Sequence, residues 1–197
     1  RNHLPIKKRK ELIGYRGNDL PFYYGDLGQE KKNIAKLMES ECLKRKQKCN
    51  ISYKIEKRIY GTKWVSFVQK FKATLGTESG SNLFDYDGQI KKNFLKYKDD
   101  YPKADYKLTK LSILGKKNEK KIMNQISPRI FEAISLKTAL VLFEGQYSDI
   151  IKPNIHFISL KKDGSNIEDV FKKLSNDEFL QDMVDRAYKD IIISNRY

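Results

Sequence analysis

Two repeat lengths of apolar residues organise this chain, one near two and one near 3.6. Residues 11–15 (ELIGY) form a short apolar run and predict a first strand. Ile34, Leu37, Met38 and Cys42 fall at helical spacing within residues 29–46, whose remaining positions are charged. They predict an amphipathic helix. Ile51, Tyr53 and Ile55 alternate, as in a second strand. Trp64, Phe67, Val68 and Phe71 mark one side of a helix over 62–71 and read as core. Residues 72–76 predict a short strand. Residues 139–143 are apolar throughout, as expected for a parallel strand covered on both faces.

Before that strand, Ser127 suits an N-cap and Pro128 the first helical position. Ile130, Phe131 and Ile134 form its apolar stripe, while Arg129, Glu132 and Ser135 form a polar one. Arg129 and Glu132 are also spaced to pair one turn apart. Residues 154–160 alternate as an edge strand, with His156 read as structural. Asn166 opens a helix carrying Ile167, Val170, Phe171 and Leu174. Asn176 or Asp177 opens a last helix, where Phe179, Leu180, Met183, Val184, Ala187, Tyr188, Ile191 and Ile192 keep strict helical period. Strands alternating with helices predict an α/β fold with a doubly wound, Rossmann-like parallel sheet.

In such sheets ligands bind in the crevice beyond the C-terminal strand ends. Gly14-Tyr15-Arg16-Gly17 follows the first strand, and its glycines allow a close backbone approach. Arg16 offers a fork of donors suited to a diphosphate, with Lys31 or Lys32 as a second charge. Thr77-Glu78-Ser79-Gly80-Ser81 is a small-residue loop after the strand at 72–76, and Glu78 there also reads as a turn cap. The helix at Ser127 presents free N–H groups, a natural seat for phosphate or ribose. Residues 20–28 (LPFYYGDLG) read as a packed aromatic loop. Asp85-Tyr86-Asp87-Gly88 is spaced for a hard cation, but Asp-Gly is also an ordinary turn signal. No metal is assigned. Ile90, Phe94 and Leu95 suggest a helix, as do Leu108, Leu111 and Leu114. Residues 116–121 read as a charged hairpin or loop.

At 197 residues, 39% apolar and 12% aromatic, the chain is long enough and apolar enough for one globular domain. Its net charge of +15 raises nucleic acid, an anionic membrane surface or an anionic small ligand as partner. The lysines are spread along the chain, with short clusters at 7–10, 44–48 and 116–121, which makes nucleic acid the least favoured of the three. No run reaches the length of a membrane span. Cys42 and Cys49 have six residues between them and match neither a zinc pattern nor a disulfide framework. A cytoplasmic location is the default expectation. The first residue is Arg1, and residues 1–10 read as a poorly ordered basic linker from an absent N-terminal domain.

The segment SPRIFEAISLKTALVLFEGQYSDII (127–151) resembles the donor-binding half of GT-B glycosyltransferases, whose S-P-x-x-x-E-A helix carries a ribose-holding glutamate. GYRG (14–17), LGTESGS (75–81) and HFISLKKDGSN (156–166) are similar to segments of a bacterial branch of that family. The resemblance implies one half of a GT-B fold spanning 1–197, with an insertion at about 82–125. It implies a nucleotide-diphosphate sugar as donor substrate and no separate cofactor. The acceptor domain would be the missing N-terminal one, and the acceptor a cell-surface glycan made at the inner face of the membrane. It assigns Arg16, Gly17 and Lys31 to the phosphates and Glu132 to the ribose. Ser127 and Arg129 flank that glutamate, and Glu78, Ser79 and Gly80 would line the sugar side. Tyr147 and Ser148 lie in a loop that approaches the sugar in relatives. Family members often carry a glutamate eight positions before the helix glutamate; here that position is Asn124, so Glu78 is taken as its substitute. A binding module without catalysis, and a basic nucleic-acid-binding domain, are the alternatives.

Overall fold

Strands β1 (Glu11–Arg16), β2 (Cys49–Ser52), β3 (Phe71–Gly76), β4 (Ala139–Phe143) and β5 (Ile158–Leu160) form one sheet in the order β2-β1-β3-β4-β5. Every neighbouring pair is parallel. The computed structural model describes residues 3–115 and 123–194. The chain winds outward from β1 to β2, then returns past β1 to β3, so the direction of winding reverses between β1 and β3. That gap is where a doubly wound sheet leaves a crevice at its C-terminal edge.

The helices among the described residues are α1 (Gly25–Lys44), α2 (Gly61–Val68), α3 (Gln89–Asp100), α4 (Tyr106–Leu114), α5 (Pro128–Ser135), α6 (Ile167–Leu174) and α7 (Asp177–Ala187), and all but α3 and α4 cover the sheet. Helix α7 continues as a π-helical turn, Tyr188–Ile193. β4 shows why both faces are covered. Ala139, Val141 and Phe143 enter a core with residues of α1, α6 and α7. Leu140 and Leu142 enter a second core with Ile130, Ile134, Phe157 and Ile191. Successive side chains of a strand point to opposite faces, so a strand apolar at every position needs a layer on each side.

Several sequence expectations are corrected. The first ten residues are not a loose linker over their described part. Ile6 is fully buried and its N–H donates to Gln181 Oε1. Arg9 is also buried, and its guanidinium donates to Phe71 O, Thr138 Oγ1, Leu136 O and Lys137 O at 2.6–3.1 Å. Burial lowers its pKa to about 10. The run of basic residues hid this, because every acceptor except Leu4 O lies in a distant part of the chain.

Helix α1 begins at Gly25, four residues early, and absorbs part of the expected aromatic loop. The alternation through Ile55 overran β2, which stops at Ser52; residues Ile55–Lys57 form a 3-10 turn. Helix α2 ends at Val68, and Phe71 opens β3 instead. A disulfide joins Cys42 to Cys49, although their spacing was not that of a disulfide framework. The reversal from α1 into β2 brings their Cα atoms to 6.6 Å, a proximity that spacing alone does not reveal.

Between β3 and α5 the chain leaves the sheet to form α3 and α4. Its neck is closed by paired backbone bonds between Ser79 and Gln125. Phe22 packs against Phe94 and Tyr106 and ties this excursion to the β1–α1 connection. Asp85 and Asp87 spend their oxygens on the N–H groups of Ile90, Lys91 and Gln89, which makes them caps of α3. The expected hairpin at 116–121 lies outside the described residues.

Candidate functional site

A cleft of about 360 Å³ opens at the crossover between β1 and β3. Its floor is the C-terminal ends of those strands, continuing into Gly17, Asn18 and Thr77. One wall is the first turn of α5, with Ser127, Arg129 and Glu132. The other carries Lys31 of α1, Arg58 from the β2–α2 connection and Trp64 of α2.

Local sequence explains the α5 wall. Ser127 sits in extended conformation and Pro128 starts the helix, but the Ser127 side chain makes no capping bond. Pro128 has no N–H and the Ile130 N–H donates to Ser127 O at 2.9 Å, so the first turn offers a ligand the Ser127 hydroxyl and the Arg129 N–H.

Charge is the dominant feature. Arg16, Lys31, Arg58 and Arg129 all line the cleft, and Glu132 is the single acid among the described lining residues. None of the four cations is paired with a carboxylate among the described residues. Lys31 has its pKa lowered, first by burial and then by the nearby charges of Arg129 and Arg58. Like charges left crowded and unneutralised favour an anion between them.

An aromatic ladder holds two of these cations. The Arg129 guanidinium carbon lies 4.7 Å from the centre of the Trp64 ring. Trp64 stacks on Phe67 with centroids 5.8 Å apart. Arg16 lies 4.3 Å over the ring of Phe67. The Trp64 indole Nε1–H donates to Glu132 Oε2 at 2.7 Å, and Arg129 donates to the carbonyl of Arg16. Trp64 was read as core; it is a half-buried wall of the cleft.

The residues proposed from sequence divide into two groups. Arg16, Gly17, Lys31, Ser127, Arg129 and Glu132 meet around the cleft. Arg16 is the most constrained of them. It is buried, donating to Tyr15 O, Asn50 O and Asn50 Oδ1, although its Nε has no partner. Most of its donors are committed to β1 and β2 rather than presented to a ligand.

Glu78, Ser79, Gly80 and Tyr147 do not line the cleft. Glu78 is buried and accepts from Tyr147 N–H and Asn124 Nδ2. Gly145 permits this approach, since a Cβ there would stand 2.6 Å from Glu78 Oε2. Gly80 has φ +114 in the neck of the excursion, where a Cβ would strike Met123 O. Ser79 reaches the margin only, its Oγ 3.4 Å from Lys31 Nζ. Tyr147 is fully buried and its hydroxyl donates to Phe143 O. Lys32 points away and pairs with Asp19.

Arg58 was missed. Its Nε is buried without a partner beside the cleft. It follows β2 on the same strand-end side as the other loops, so the crevice rule would have found it had the strand not been carried too far. A wider groove of about 600 Å³ between α1 and α4 also exists. Asp26 pairs there with Lys110 and Glu30 with Lys162, leaving Lys107 as the single excess charge among the described lining residues, so its field is weaker than that of the cleft.

No family model matches the chain, and no curated protein matches it. Among the described residues there is no cluster of three His, Cys, Asp or Glu side chains suited to a metal, and no helix long and apolar enough to cross a membrane.

Proposed function

We propose that this chain is the donor-binding half of a GT-B glycosyltransferase and holds a nucleotide-diphosphate sugar in the cleft. One observation carries the reading: cations without carboxylate partners converge with the open end of α5 and one glutamate at the crossover point of the sheet. The cleft volume falls in the range of small-ligand sites.

Lys31, Arg58 and Arg129 would take the diphosphate, helped by the Arg129 N–H and the Ser127 hydroxyl at the start of α5. Arg16 would act mainly by holding the β1 end in place, with Nε–H and one Nη2–H left over from its bonds to Tyr15 and Asn50. Glu132 would accept a ribose hydroxyl. In transfer, the sugar–phosphate bond breaks and negative charge builds on the leaving diphosphate. The same fixed cations stabilise that charge more than they stabilise the ground state. The acceptor would be held by a further domain, and a cell-surface glycan assembled at the inner face of a bacterial membrane suits the basic surface.

Calorimetric titration with UDP, GDP, ADP and inorganic pyrophosphate tests this. Saturable binding of a nucleoside diphosphate, weakened about tenfold or more in Arg58→Ala, is expected. No binding of any of them at about 1 mM would remove the reading. Tight, salt-sensitive binding of nucleic acid in its place would favour the basic-domain alternative.

A further inference from the structure

Glu132 lies on an exposed helical face, where a glutamate would ordinarily sample several rotamers. Here it is pinned through Oε2 by the indole N–H of Trp64 at 2.7 Å. An indole N–H can only donate, so the contact requires an acceptor and fixes which oxygen it holds. Oε1 has no partner among the described residues. Trp64 is itself held, by Phe67 against one face and Arg129 over the ring.

The arrangement also keeps Arg129 and Glu132 apart. Their spacing on α5 is the one that normally forms an ion pair. Arg129 instead takes the ring of Trp64 and the carbonyl of Arg16, while Glu132 takes the ring's N–H. One side chain therefore leaves a cation free for phosphate and half a carboxylate free for a hydroxyl.

We infer that Trp64 is a positioning residue that aims Glu132 at a ribose hydroxyl and so makes the cleft select ribonucleotides over 2′-deoxyribonucleotides. The inference rests on the nucleotide reading of the cleft. A pinned carboxylate meets the 2′-hydroxyl with its rotamer already fixed, whereas a freely rotating one loses that freedom on binding and gains less from the same bond. Selectivity therefore depends on the pin and not on the acid alone.

The test compares UDP, GDP, their 2′-deoxy counterparts and pyrophosphate by calorimetry, on wild type, Trp64→Phe, Glu132→Ala and the double variant. The wild type should favour the ribonucleotide about tenfold or more, the low end of a charged hydrogen bond. Trp64→Phe keeps the ring under Arg129, so pyrophosphate affinity should hold while the ribose preference collapses. The double variant should lose no more preference than either single one. Wild-type protein offers a second readout, because Trp64 is the only tryptophan and gives one indole N–H signal by NMR. Glu132→Ala should move that signal upfield.

A ribose preference that survives in Trp64→Phe, or an indole signal indifferent to Glu132→Ala, overturns the inference and leaves the nucleotide reading standing. A wild type that binds pyrophosphate but no nucleotide overturns both.

Discussion

The carboxylate of Glu78 accepts the backbone N–H of Tyr147 at 2.9 Å, although 69 positions separate them. This bond joins the loop after β3 to the loop after β4, and it is buried. Glu78→Ala would leave that N–H and the Asn124 amide without their acceptor. We expect a loss of about 2–4 kcal/mol in urea unfolding, from one buried and one half-buried donor left without their acceptor. Nucleoside diphosphate affinity of the folded variant should stay within about twofold, well inside a single hydrogen bond. A large drop in affinity at unchanged stability would return Glu78 to the ligand.

Arg16 and Arg58 should respond in opposite ways. Arg16 donates to Asn50 and packs on Phe67, so Arg16→Ala is expected to cost about 2 kcal/mol of stability. Arg58 makes far fewer contacts. Arg58→Ala should shift stability by less than about 0.5 kcal/mol, since it removes no side-chain hydrogen bond among the described residues and relieves a buried unpaired Nε, while weakening nucleotide binding. Parallel denaturation and titration curves separate the two.

Arg9 is buried in a ring of backbone carbonyls and one threonine hydroxyl. Replacing it with Met fills the space but leaves those acceptors empty. A cost of about 3–5 kcal/mol is expected, visible as a fall in thermal midpoint. Truncation before residue 10 should be as damaging.

The Cys42–Cys49 bond closes a short loop at the edge of the sheet. Chain-entropy arguments give about 2–3 kcal/mol for a loop of this length. Replacing both cysteines with Ala should lower stability by that amount. A thiol assay on denatured protein should find none before reduction and two after.

Burial drives the Tyr147 hydroxyl well above the usual phenol value of 10, with Glu78 and Glu30 adding to the shift. The unfolded chain releases that proton near pH 10 while the folded chain keeps it. The stabilisation is whole below pH 10 and is lost as pH rises beyond it. Tyr147→Phe should therefore flatten the alkaline fall in stability by about 1.4 kcal/mol per pH unit. Urea midpoints measured between pH 9 and about pH 11.5 check this.

Most of the sheet was legible before folding. The short apolar runs of β1, β3 and β4 and the helical stripes of α5, α6 and α7 each repeat a local period that burial imposes. Alternation of strands with helices was enough for a parallel, doubly wound sheet. Strand-end placement pointed to Arg16 and the start of α5, the resemblance to Lys31, Arg129 and Glu132, and the fold brings them to one cleft.

Side-chain partners that meet only on folding were not legible, whether far apart in the chain or, as with Cys42 and Cys49, seven positions apart. Arg9 among its carbonyls, Cys42 beside Cys49, Glu78 turned inward to Tyr147, and Trp64 between Arg129 and Glu132 all depend on which surfaces meet after the chain has packed. Periodicity reports which face of an element avoids water. It carries no record of the polar group waiting on the other side of the contact, and those groups set the direction of each charged side chain here.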